Sequence, residues 1–129
     1  MTTSIEAYLR SKASRASKCS MIASYLYEKG GAATTKEITD RFAFDSNSVT
    51  GKRIGELVDQ GCVVSVGEQD GYTLWAWEYD TTKWAANAEQ ANRERDIRLL
   101  ERVANNERFP ADLRQRANNI AAMKKSLPL

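Results

Sequence analysis

The chain contains no histidine. This removes the side chain used most often for proton transfer near neutral pH and the commonest metal ligand. No Gly-rich phosphate loop, no GxSxG and no spaced carboxylate set takes its place, so the sequence points away from catalysis, cofactor and metal. Cysteine is scarce as well: Cys19 and Cys62 stand alone, in no CxxC or metal-spaced group, and read as buried small hydrophobes rather than a disulfide. No apolar run approaches the roughly 18 residues needed to cross a bilayer, and no secretory h-region opens the chain. A cytoplasmic protein with no membrane partner is expected.

What is present fits one compact domain with an appendage. A length of 129 residues is too short for two large domains. With 42% hydrophobic and 28% charged residues, the chain has enough apolar surface to fold. The formal charge of +2 is unevenly spread. Residues 1–30 hold five basic and two acidic side chains, residues 31–80 four and nine, and residues 81–129 ten and six. An acidic middle thus lies between basic flanks.

Helical periodicity begins early. Thr3 with Glu6 makes a capping-box pattern ahead of Ile5, Tyr8 and Leu9, which predicts a short helix ending near Ser14. The Ser- and Ala-rich stretch after it carries Lys12, Arg15 and Lys18, either a solvated basic face or an arm for phosphates. Met21, Ile22, Tyr25 and Leu26 form the stripe of a second helix stopped at Gly30 and Gly31. Past an extended link at Ala32 and Ala33, Thr34 with Glu37 opens a helix that ends near Ala43, with Ile38 and Phe42 inward. The turn Phe44–Asn47 leads to a further helix that buries Val49, Ile54, Leu57 and Val58 and stops at Gly61.

Residues 62–66 and 72–79 are strand-prone, and the segment Gly67–Gly71 between them reads as the loop of a β-hairpin. Alternation puts Thr73, Trp75, Trp77 and Tyr79 on one face, destined for the core or for cover by later helices. The helix formers from Thr82 to about Asn106 predict the longest helix, apolar in its second half at Ile97, Leu99, Leu100 and Val103. Pro110 suits the first turn of a last helix with Leu113, Ala117, Ile120 and Ala121 along one side, completing a helical hairpin.

The order helix, link, helix, turn, helix, strand, loop, strand over residues 17–80 resembles the winged helix-turn-helix superfamily. Its most telling stretch, SNSVTGKRIGELVDQGCVV at residues 46–64, is similar to the recognition helix and first wing strand of MarR- and PadR-type regulators. The resemblance implies a mainly α fold with a small β-hairpin. Its parts are an N-terminal helix and basic lead-in at 1–16, a winged-helix unit at 17–80, and at 81–129 a helical extension that dimerises or folds back. It further implies that Asn47, Ser48, Thr50, Gly51 and Arg53 face base edges in the major groove of duplex DNA. Lys36 and Lys52 would neutralise phosphates, joined by Lys12, Arg15 and Lys18. The function so implied is sequence-specific DNA binding by a bacterial or phage transcription regulator, acting as a homodimer through its C-terminal helices.

One departure keeps an alternative open. The wing tip carries Glu68 and Asp70 where a phosphate-gripping wing carries Arg or Lys. The alternative is a winged-helix protein-interaction module, such as a phage accessory protein that binds a host complex, anchored by Trp75, Trp77 and Tyr79 with Ile97 and Leu100.

Overall fold

A computed structural model of the chain describes residues 4–127, with side-chain surroundings from Ser14 onward. Five α-helices and three short strands alternate in the order α1 (Ser4–Lys29), β1 (Ala33–Thr34), α2 (Thr35–Phe42), α3 (Asn47–Gln60), β2 (Val63–Gln69), β3 (Tyr72–Trp77), α4 (Trp84–Ala104) and α5 (Ala111–Ser126). A single 3-10 turn, Thr81–Lys83, precedes α4. The expectation of a mainly α fold with a small β-hairpin is met.

α1 corrects the first expectation. It runs unbroken through Ser14, where a helix end was expected. Neither Gly nor Pro interrupts residues 4–29, and interspersed Ser residues lower helix propensity only slightly beside Ala, Lys and Arg. Thr3 and the side chain of Glu6 lie outside the described residues. At the far end Gly30 adopts φ +68°, the left-handed conformation that suits a helix stop.

The caps of α2 and α3 follow the sequence closely. Thr34 Oγ1 accepts the amide of Glu37 at 3.1 Å, and Ser46 Oγ accepts that of Val49 at 3.2 Å. Ala43 closes α2 in the left-handed region at φ 52°. These two caps fix the turn between α2 and α3 from both sides.

The hairpin is longer than its glycines suggested. β2 continues through Gly67 to Gln69, and the connection is only Asp70-Gly71, both at positive φ. That pairing gives a type I′ turn, whose twist matches the flanking strands. Val66 is the extra residue of a bulge, because Ser65 pairs with Trp75 while Gly67 pairs with Leu74. The link at Ala33 is itself a strand: β1 pairs with β3, giving a three-stranded antiparallel sheet in the order β1-β3-β2.

Ile22, Leu26, Ala33, Ile38, Ile54, Leu57, Cys62 and Val63 make the core, bringing together α1, α2, α3 and the sheet. At roughly 1.5–3 kcal/mol per fully buried aliphatic side chain, this cluster ties the C-terminal half of α1 to α2, α3 and the sheet. Met21, expected inward, is 39% exposed instead. Both cysteines are free thiols.

α4 packs on α3 and then forms a hairpin with α5, whose Ala117 and Ala121 are buried. Gly61 is the joint between α3 and α4. It has φ +86°, and a Cβ there would collide with the backbone carbonyl of Trp84. Asn87 Nδ2 donates to Gly61 O at 3.1 Å, and Trp84 Nε1 donates to Glu78 O at 2.8 Å. No helix among the described residues is long and apolar enough to cross a membrane.

Candidate nucleic-acid interface

α3 is held on one side by a polar contact as well as by its apolar stripe. Thr50 is fully buried, and its hydroxyl lies 2.6 Å from that of Thr39 on α2. Thr50 Oγ1 also reaches Ser46 O at 3.2 Å, so the hydroxyl pair joins α2 to the first turn of α3. Expected to face bases, Thr50 is instead part of the packing between the two helices.

Arg53 is the second correction. Only 11% of its side chain is exposed, and it pairs with Glu56 at 3.3 Å. Its Nε and Nη1 are buried without a hydrogen-bond partner among the described residues. Cys19 on α1 donates its S–H to Glu56 at 2.9 Å and lies 3.6 Å from Arg53 O. Arg53 therefore belongs to the α1–α3 contact and offers no fork to a guanine. In this setting burial, followed by the hydrogen bond to Glu56, pushes the Cys19 thiol up to about 12.

The remaining residues of the expected set stay accessible. Ser48 and Lys52 are exposed on α3, with Asn47 and Gly51 half-buried beside them. A Cβ on Gly51 would meet nothing within 4 Å, so the backbone there is open to close approach. Lys36, exposed on α2, holds Asp40 at 3.0 Å, and that hydrogen bond raises its pKa. α3 thus leaves Ser48 and Lys52 exposed and Gly51 half-buried while Thr50, Ile54 and Leu57 face in.

Of the expected α1 contacts, Lys18 and Arg15 lie at different places along α3. Lys18 lies 5.8 Å from the centre of the Phe44 ring, beside the turn that leads into α3. Arg15 lines a groove with Cys19 and Glu56 toward the other end of α3. The Lys12 side chain lies outside the described residues.

The aromatic strand is not a free anchor. Trp75 Nε1 donates to Thr35 Oγ1 at 2.9 Å, and Trp77 packs edge-on against Tyr27 and Trp84. Both Trp rings are half-buried against the core; Tyr79 alone is exposed, its hydroxyl donating to Tyr27 O at 2.6 Å. Ile97 and Leu100 are half-buried on α4. Other exposed apolar side chains are Met21, Tyr27 and Val66, and, along the helical hairpin and just past its end, Leu99, Phe109, Leu113, Ile120, Met123 and Leu127.

The sequence did not reveal that α4 packs along the second half of α3. Arg95 pairs with Asp59 of α3, and Arg98 lines a cleft with Gly55. The spacing 91, 95, 98 on a helix was the available signal. No protein family, curated protein or solved structure matches the chain.

Proposed function

We propose that the chain is a winged-helix protein without enzymatic activity that binds duplex DNA through the leading end of α3, as a regulator of transcription. One observation carries the reading. Behind its Ser46 cap, α3 leaves Ser48 and Lys52 exposed while Thr50 and Ile54 fix its inner side. Base contact falls to Asn47 and Ser48, and phosphate contact to Lys52, Lys36 and Lys18. With Arg53 withdrawn into the α1–α3 contact, discrimination among sequences is modest, since one bidentate Arg–guanine pair accounts for about 1–3 kcal/mol.

Fluorescence anisotropy with labelled duplex DNA tests this. Affinity should fall steeply with salt, and Lys52→Ala should flatten the log–log slope by about 1. Absence of binding at low salt removes the reading.

The exposed apolar side chains of α4 and α5 support association of two copies through the helical hairpin. They also support a second reading, a protein partner, which gains from the acidic wing tip at Glu68 and Asp70. Under that reading DNA affinity is negligible, and a pull-down retains a partner that Ile120→Asp releases.

A further inference from the structure

The tip of the β2–β3 hairpin carries Glu68 and Asp70, both exposed. Two carboxylates there repel a polyanion, so the hairpin gives α3 no cationic support against phosphates.

α4 lies on the same side of α3 as the hairpin and runs antiparallel to α3. Asn87 bonds Gly61 at the end of α3, and Arg95 pairs with Asp59 one turn earlier. Arg98 then lines, with Gly55, a cavity of about 400 Å³ between α3, the hairpin and α4. Ser65, Thr73 and Trp75 are the hairpin's share of that lining, and none is charged. Each step back along α3 is thus a step forward along α4.

The facing stripes follow from helical spacing. Lys52, Gly55 and Asp59 stand at i, i+3 and i+7 on α3, and the Asp59–Arg95 pair shows that this stripe meets α4. Arg95, Arg98 and Arg102 repeat the same spacing on α4. Lys52, Arg98 and Arg102 are all exposed.

Charge is graded along the seam between the two helices. Toward the end of α3, Asp59 and Arg95 neutralise each other, and Glu94 shares a smaller cavity with Val58. Two other carboxylates of α4 are held from α5, Asp96 by Lys124 and Glu101 by Lys125. Toward the leading end of α3, the charged residues of the facing stripes are Lys52, Arg98 and Arg102, all positive. A guanidinium is planar, always charged and weakly hydrated, which suits it to phosphate oxygens.

We propose, on the reading that the leading end of α3 enters duplex DNA, that α4 supplies the phosphate contacts its hairpin cannot. Arg98 and Arg102, one helical turn apart, bind the backbone of the strand that borders the groove α3 occupies. Lys52 stands across the seam from them, so both helices hold the duplex.

Salt-dependent anisotropy of the full chain with labelled mixed-sequence duplex DNA tests this. Arg98→Gln together with Arg102→Gln should flatten the log–log slope of affinity against salt by about 2, and each single change by about 1. Arg98→Lys with Arg102→Lys should retain the parent slope, since counterion release counts charges. Arg108→Gln with Arg116→Gln removes the same charge from exposed positions away from the seam and should also retain it. Circular dichroism and melting temperature check that each variant is folded. The assignment is overturned if the Arg98 and Arg102 glutamine pair keeps the parent slope, or if the Arg108 and Arg116 pair flattens it equally. It is also overturned if the lysine pair loses as much as the glutamine pair, because charge is then not the cause. In those cases a slope still flattened by Lys52→Ala leaves the α3 interface standing, whereas a parent that binds no DNA at low salt removes both.

Discussion

At the scale of single residues, Arg53 brings a charge into a contact that satisfies only part of it. A guanidinium with two buried nitrogens unpaired carries a desolvation cost that one ion pair to half-exposed Glu56 does not recover. Arg53→Met should therefore leave stability unchanged or raise it by up to about 2 kcal/mol, measured by chemical denaturation. It should also leave DNA affinity unaltered; a marked loss of sequence preference would return Arg53 to the interface. Cys19 gives a pH prediction. Its thiol is raised above the ordinary value of 9.0 to about 12 in the folded chain. The associated stability is complete below pH 9 and disappears as pH rises toward 12. Alkylation of Cys19 near pH 9 should accordingly be far slower in the native protein than in the unfolded chain, and equal rates would contradict the burial described. The sequence concealed both Thr50 and Arg53 for one reason. Positions 50, 53, 54 and 57 form a single i, i+3, i+4, i+7 stripe, but only Ile54 and Leu57 look apolar.

Among the elements, those with local chemistry were the legible ones. Thr34, Ser46, Gly30 and Gly61 each mark a helix end through a cap or a positive φ that depends on a few neighbouring atoms. β1 was not legible, because two residues acquire strand geometry only by pairing with Trp75 and Leu74 some forty positions later. The position of α4 was hidden similarly, since its contact with α3 depends on close approach at Gly61. Gly61→Ala should be the most damaging small change in the chain, costing about 2–4 kcal/mol through both its φ and the Trp84 carbonyl. Ser46→Ala should cost about 1 kcal/mol and loosen the first turn of α3. Thermal melts of the two variants rank them; a harmless Gly61→Ala would refute the close approach.

For the molecule as a whole, much of the apolar surface left over lies on the hairpin. Leu113 and Ile120 lie seven residues apart on α5, each at least 40% exposed, a spacing that suits a second helix alongside. Sedimentation should give twice the chain mass, and Ile120→Asp should reduce it to one chain without unfolding; a parent that stays monomeric at every concentration would rule this out. The joint at Gly61 then acquires a mechanical meaning. Trp84, Asn87 and Gly61 fasten the root of the hairpin within one helical turn of the end of α3, so a torque applied far out on α5 is delivered to α3 with little slack. Two chains clasped by their hairpins would carry their α3 helices like the jaws of a calliper, at a separation set by the clasp.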